Sequence, residues 1–463
     1  MDYYVSTNGD NNNPGTENEP WLTIQKAADT MVAGDTVFVR TGTYNEQVII
    51  ECCGEPNNYI TFAAYPNEQP VVDGSDIDMV WGEGLINVGT PAWPDTPLPP
   101  RGFYGAEYII IDGFKLQNSG EWGIRIGFSN HIIIRNNQVF NTRGPGIETD
   151  NGYEPGWNPT HCSYIYCYDN FVGEGVNYGM TGEAISFGKV DHFEIMRNRV
   201  INTTKEGIDC KCEANQGIIA YNEVVTPGVG IYYDAYMDYQ HDIIIHSNWV
   251  HGDGGIYIGT EMGGTVENVY IFNNLVCNTT NGFGMLGESG GRININVVNN
   301  TYNVGNIVFQ LVVSNAGMPD GLSIRNNIII GGYGVNLAGD ITEDDFILSH
   351  NLFNCDTTTY GTDYIIGNPL FVDQSNDDYH LQANSPAINM GSSTDAPSVD
   401  FDGIQRPQDG AWDIGAYEYH GGSPPPSCYV AHPNPTLTQV MGVVDYYLGF
   451  TESGNQKTGC NFS

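Results

Sequence analysis

From Tyr108 onward, apolar and polar positions alternate in short β-branched runs, and the runs recur. Ile132-Ile-Ile-Arg-Asn-Asn-Gln-Val139 returns as Phe193-Glu-Ile-Met-Arg-Asn-Arg-Val200 and as Gly217-Ile-Ile-Ala-Tyr-Asn-Glu-Val224. It returns again as Ile243-Ile-Ile-His-Ser-Asn-Trp-Val250, Val269-Tyr-Ile-Phe-Asn-Asn-Leu-Val276 and Leu322-Ser-Ile-Arg-Asn-Asn-Ile-Ile329. The anchoring asparagines are Asn137, Asn170, Asn198, Asn222, Asn248, Asn274, Asn300, Asn327 and Asn351, spaced 24 to 28 residues apart after a longer first step. That longer step leaves room for a loop from Asp150 to His161. Leucine-rich repeats need a Leu ladder, and propeller blades need hairpin turns and a longer period. Three short strands per period with Asn at a corner predict an all-β, right-handed parallel β-helix. Asn tolerates left-handed backbone angles there, and its amide can hydrogen-bond up the stack.

Ahead of the repeat, Trp21-Leu-Thr-Ile-Gln-Lys-Ala-Ala-Asp29 reads as a short amphipathic helix that caps the open end of the solenoid. Residues 1–50 form this N-terminal cap with the first strands, and residues 355–419 a closing module, within one unit of 1–419. Residues 420–427, rich in Gly and Pro, read as a linker, and 428–463 as an extension whose role the residues do not declare.

A finer pattern lies between Glu183 and Glu261, where Glu183-Ala-Ile-Ser-Phe-Gly188, Gly207-Ile-Asp-Cys-Lys-Cys212, Gly230-Ile-Tyr-Tyr-Asp-Ala235 and Gly255-Ile-Tyr-Ile-Gly-Thr-Glu261 repeat one phrase. If the first Ile of each faces inward, the inner set is nearly all apolar: Ile185/Phe187, Ile208/Cys210, Ile231/Tyr233, Ile256/Ile258. The first outward column then reads Arg125, Glu148, Ser186, Asp209, Tyr232, Tyr257, Gly284. The second reads Gly127, Asp150, Gly188, Lys211, Asp234, Gly259, Leu286. Glu183 and Glu206 share a corner column just before the strand. Single outward charges are usually solvent decoration. Here like charges sit on rungs ~4.8 Å apart, where free choice avoids them. Glu183, Glu206, Asp209, Lys211, Asp234 and Glu261 are therefore the candidate catalytic group. Arg125, Glu148, Asp150, Trp157, Tyr232, Tyr257 and His251 are candidates for holding substrate, with Gly188 and Gly259 clearing space and the tyrosines stacking on sugar rings.

Composition narrows the partners. Against 55 Asp plus Glu there are 16 Lys plus Arg, a formal charge of −39. That excludes nucleic acid and anionic membrane surfaces. No apolar run reaches the ~20 residues of a membrane span. The chain opens without a signal-peptide pattern, so a secreted protein is expected with its signal removed or absent from this chain. A monomer is expected. The ten Cys lack zinc-ribbon spacing and read as packed thiols or a few disulfides.

The rungs resemble the right-handed parallel β-helix repeats of polysaccharide lyases and of polygalacturonase-type glycoside hydrolases, over roughly Tyr3 to Asn354. Ser385-Pro-Ala-Ile-Asn-Met-Gly391, Asp400-Phe-Asp-Gly-Ile-Gln-Arg-Pro407 and Asp413-Ile-Gly-Ala-Tyr-Glu-Tyr419 resemble the C-terminal module of secreted bacterial β-helix proteins. The resemblance implies a polysaccharide-degrading enzyme, and Glu183 and Glu206 match the acidic corner column of the polygalacturonase-type family. That family's Asn-Thr-Asp, Asp-Asp and Gly-His-Gly signatures are replaced by Thr181-Gly-Glu183, Lys205-Glu-Gly207 and His251-Gly-Asp253. An endo-acting hydrolase with paired carboxylates needs no cofactor. The alternative is a lyase with Lys211 as base and calcium held by Asp234, Asp238 or Asp242. Flanking carboxylates, however, favour the protonated lysine. A third expectation is a glycan-binding adhesin without catalysis. Sulfated fucan, xylan and pectin-like chains are all compatible substrates.

Overall fold

Each period folds into one turn of three short strands, and successive turns stack in parallel, with register shifts at Gly188/Val190, Cys277/Thr279 and Ile330/Tyr333. The computed structural model describes residues 1–89, 105–149, 161–173, 183–286, 290–313 and 317–421. Three parallel sheets run the length of the solenoid. One contains Trp122–Ile126, Ile147–Thr149, Ile231–Asp234, Ile256–Gly259 and the opening residues of Ile185–Met196 and Ile208–Ala220. The next contains Asn130–Arg135, Cys162–Tyr168, Tyr239–His246 and Thr265–Phe272. The third contains Gln138–Thr142, Glu223–Thr226, Trp249–Gly252 and Leu275–Thr279. The fold class is as the periodicity predicts. The capping helix is shorter than predicted, Ile24–Ala28, with Thr23 as its N-cap.

The interior is filled by the alternate apolar positions. Ile124, Ile147, Ile185, Ile208, Ile231, Ile256 and Phe283 form one fully buried file, and Ile126, Phe187, Cys210, Tyr233, Ile258 and Met285 another. Because the period of a strand is two, a slip of one residue would turn this file outward, so packing fixes the register.

The nine asparagines form a continuous internal ladder. The backbone N–H and Nδ2 of Asn137 both donate to Asn170 Oδ1, at 2.9 and 3.1 Å, and each later member does the same to the next as far as Asn351. Each Nδ2 also donates to a carbonyl one rung back, as Asn248 does to Ile219 O at 2.8 Å. The expected left-handed angle falls one residue earlier than the asparagine itself. Asn136, Asp169, Arg197, Tyr221, Ser247, Asn273, Asn299, Asn326 and His350 carry it, with φ between 51° and 57°. That residue turns the corner, which aims the next side chain inward, where an amide must find its partners within the protein.

A second hydrophobic cluster, built on Phe371, Tyr379, Leu381, Ile414 and Tyr417, packs against Leu275, Cys277, Ile328 and Leu352. Arg406 is buried there on Glu418 at 2.9 Å. Eight cysteines lie among the described residues with no disulfide between them, and five are buried, as packed thiols would be. Among the described residues no helix is long and apolar enough to cross a membrane. Residues 422–463, with most of the linker and the extension, lie outside the described part.

Candidate active site

The strand Ile208–Ala220 organises the site. Ile208 and Cys210 anchor it in the core, so Asp209 and Lys211 face outward on the first sheet. Asp209 pairs with Ser186 and Tyr232 on the flanking rungs, and Lys211 with Gly188 and Asp234. Glu183 stands two residues before Ile185, one rung from Glu206, whose carbonyl accepts the Ala184 N–H at 3.1 Å. Both outward columns therefore have the expected register.

The Lys211 ammonium draws the group together. Its Nζ lies 2.5 Å from Glu183 Oε1 and 2.9 Å from Asp209 Oδ2. Burial works to raise the Glu183 carboxyl, but the Lys211 charge and hydrogen bond override it and hold it below the usual carboxylate range. Asp209 goes the other way. Burial, followed by the neighbouring Glu183 charge against the pull of Lys211, pushes it up to about 8. Burial and the Glu183 charge raise Glu206 as well. Asp209 Oδ1 and Glu206 Oε2 are buried and accept no hydrogen bond among the described residues. One site thus pairs a carboxyl group held down with one pushed up, a divergence that acid–base chemistry uses.

One rung on, burial pushes Asp234 up to about 6. Its Oδ1 accepts the Tyr236 and Glu261 N–H groups, at 2.9 and 3.4 Å. The Tyr232 hydroxyl donates to Glu261 Oε1 at 2.8 Å. Glu261 is itself exposed, at the strand's exit.

Several expected binding roles need correction. Arg125, Glu148, Tyr232 and Tyr257 are at most 7 % exposed, so they are buried rather than open platforms for a sugar. Alternation assigns a side chain to a face, and depth on that face depends on what crosses above it. Gly259 clears no groove either. A Cβ there would lie 2.3 Å from Tyr232 Oη and 2.7 Å from Asp234 Oδ1, so the molecule's own side chains use the room. His251 belongs to the third sheet, where it stacks on Trp249 and lies 3.4 Å from Glu223. The turn that leads into Gly254 and Gly255 separates it from the site. Asp150 and Trp157 lie outside the described residues.

The suggested calcium ligands do not converge. Asp242 lies on the second sheet, with its carboxylate on His241 and the Asn268 amide, each at 2.8 Å. Among the described residues no group of three or more His, Cys, Asp or Glu stands in a metal-holding arrangement.

Two features escaped the sequence reading. Arg292 is fully buried, donates to Gly317 O at 2.9 Å and lies in the field of Tyr232 and Asp234. It pairs with Val266, an inward position, and the left-handed Asn294 just after it breaks the alternation that would have flagged an inward arginine. The second feature is a corner cluster. His161 contacts Asp191 at 2.8 Å and Glu213 at 3.3 Å, and Lys189 contacts Glu213 at 2.9 Å. In the sequence His161 is only the end of a loop, and nothing in the spacing joins it to residues one and two rungs away.

Comparison with known proteins places this geometry in context. A model of the Pel9A-like right-handed β-helix region matches residues 3–283. The uncharacterized protein YwoF of Bacillus subtilis (strain 168) is 27 % identical over 453 residues, covering 83 % of this chain and 91 % of its own length. Pectate lyase PEL9 of Emericella nidulans is 32 % identical over 148 residues, covering 29 % of this chain and 33 % of its own. Among solved structures, XylC in complex with xylose superposes with a TM-score of 0.59 at 13 % identity over 90 % of this chain and 98 % of the other. Pectate lyase Pel9A does so with a TM-score of 0.52 at 16 % identity, over 90 % and 96 %. At these identities the superpositions show the fold.

Proposed function

The chain belongs to the Pel9A-like right-handed β-helix family, a family of polysaccharide-active enzymes, and from that premise we propose that it cleaves glycosidic bonds within a polysaccharide by hydrolysis. Asp209 supplies the proton to the leaving oxygen and Glu183 is the ionised carboxylate. The observation that carries this reading is the pair of carboxyl groups on one ammonium, Glu183 at 2.5 Å and Asp209 at 2.9 Å from Lys211 Nζ, with burial raising Asp209 and Lys211 holding Glu183 down. Since both oxygens contact Lys211 Nζ, they are separated by no more than ~5.5 Å, within reach of direct attack by the second carboxylate. In that scheme Glu183 takes the anomeric carbon as Asp209 protonates the departing oxygen. Asp209 then receives a proton from the water that releases the product. A site on the face of a long stacked sheet suits internal cleavage of a long chain, and the enzyme is expected to act outside the cell.

Elimination is the second reading, favoured by the pectate lyases among the chain's relatives and by the exposure of Lys211. Its side chain is 21 % exposed against 4 % for Asp209, so the amine is the more accessible of the two. A base must be neutral, and two contacting carboxylates work against that. A cation drawing those carboxylates away would release the amine. Incubation with pectate, xylan and sulfated fucan, scoring both new reducing ends and the ultraviolet absorbance of unsaturated uronate ends, separates the readings. Reducing ends without that absorbance support hydrolysis. Absorbance that vanishes with a chelator and returns with calcium refutes it in favour of the lyase. Binding without any product would leave a glycan-binding protein.

A further inference from the structure

A cleft of about 530 Å³ opens at the N-terminal end of the second sheet, lined by Tyr4, Ser6, Asn8, Glu17, Pro20, Arg40, Thr41 and Glu68. Such a volume is in the range of small-ligand sites. It lies on a different sheet from the candidate active site, with the strand of Tyr4 seven rungs before the strand of Asp209, ~34 Å along the axis. Tyr4 is its aromatic lining residue and packs on Phe38 and Tyr65 beside the cleft, with ring centroids 5.8 and 6.3 Å away. One wall is a rigid planar pair. Arg40 Nε donates to both oxygens of Glu68, at 2.9 and 3.1 Å, while Nη2 lies 2.7 Å from Oε1. The same guanidinium stacks 4.2 Å over the Tyr65 ring, and the Tyr65 hydroxyl donates to Glu17 at 3.0 Å. The opposite wall is pinned by the backbone, with Ser6 N–H on Trp21 O and Asp10 N–H on Pro20 O.

An aromatic face, a fixed guanidinium–carboxylate pair and a rim of hydroxyl and amide groups match a flat ligand with one apolar face and many hydroxyls. Two acidic side chains against one basic disfavour an anion. We infer that this cleft binds an uncharged sugar unit of a polysaccharide, as an anchor separate from the cleaving site. The inference rests on the family's action on polysaccharides and is independent of whether cleavage is hydrolytic or eliminative.

Affinity electrophoresis tests it, with xylan, galactomannan or mixed-linkage β-glucan cast in the gel and polygalacturonate as the charged control. The parent is the full chain carrying Asp209→Asn, so that cleavage does not interfere. At least one of the three neutral polysaccharides should retard it. Tyr4→Ala, which removes the aromatic lining, and Ser6→Trp, which fills the cleft, should each weaken the retardation about tenfold or more. Unchanged thermal melting shows that the variants are folded, and the same substitutions in the active chain should leave turnover of a short soluble oligosaccharide unaltered. The inference is overturned if no neutral polysaccharide retards the parent, if polygalacturonate alone does, or if either folded variant migrates as the parent does.

Discussion

Replacing Asp209 by Asn should stabilise the protein at alkaline pH while removing its activity. The Asp209 carboxyl is pushed up to about 8 in the folded chain, from an ordinary value of 3.8. Between those values the folded state keeps a proton that the unfolded chain has released, so native stability falls as pH rises, by about 1.4 kcal/mol per pH unit. The penalty is absent below the lower value and complete above the upper one. From pH 5 to pH 8 it accumulates to on the order of 4 kcal/mol. Asn has nearly the same shape and does not titrate. Its one fixed cost is the exchange of a carboxyl oxygen for an amide 2.9 Å from Lys211. That cost is similar at both pH values, so the difference between them isolates the titration. With an unfolding entropy of ~2.1 cal/mol/K per residue across a chain of this size, the variant's Tm relative to the native protein should rise by about 4 °C between pH 5 and pH 8. Differential scanning calorimetry of both proteins at the two pH values measures this directly. A Tm difference that is flat with pH, or one that turns against the variant at pH 8, would refute the assignment of a neutral buried carboxyl to Asp209. The same variant should lose at least a hundredfold in kcat.

Three further outcomes follow from the same geometry. Hydrolysis should show a bell-shaped pH profile: it fails as pH rises through about 8 and Asp209 loses its proton, and it fails on the acid side only below the usual carboxylate range, where Glu183 becomes protonated. Lys211→Met removes the charge that holds Glu183 down, so the acid limb should move to higher pH, and denaturant unfolding should show a loss of ~3–5 kcal/mol from the unpaired buried carboxylates. Asn248→Ala removes the Oδ1 that accepts from the Asn222 N–H and Nδ2, and the Nδ2 that donates to the Asn274 Oδ1 and the Ile219 carbonyl, a loss of ~3–5 kcal/mol that a melting curve should read as a fall of several degrees.

The inward file was legible because a β-branched residue at every second position has one physical explanation, and stacking carries it from rung to rung. Once Ile208 is placed inside, Asp209 and Lys211 must face outward beside Ser186, Gly188, Tyr232 and Asp234, and the pairing places them there. Depth was not legible. Arg125 and Tyr232 occupy outward positions yet are buried, because segments distant in sequence decide what covers a face. Corners were legible only in part. A single left-handed residue shifts the alternation by one, which hid Arg292 behind Asn294 and put the corner angle on Asn136 rather than on Asn137.

The same limit bears on chemistry. The sequence places four carboxylates and one ammonium on three adjacent rungs, and their like charges are costly in any conformation that keeps them together. What the sequence cannot convey is how that cost is shared, because a carboxyl's titration depends on which oxygen reaches the ammonium and how dry its surroundings are. Glu183 and Asp209 both reach Lys211, at 2.5 and 2.9 Å, yet the Lys211 charge holds Glu183 down while burial pushes Asp209 up. Swapping the two side chains, with Glu183→Asp and Asp209→Glu combined, would preserve the composition and net charge while altering both contacts. If charge alone set the roles, the pH profile would survive the swap. If reach and burial set them, as the geometry argues, both limbs should move toward the ordinary carboxylate range and kcat should collapse with them.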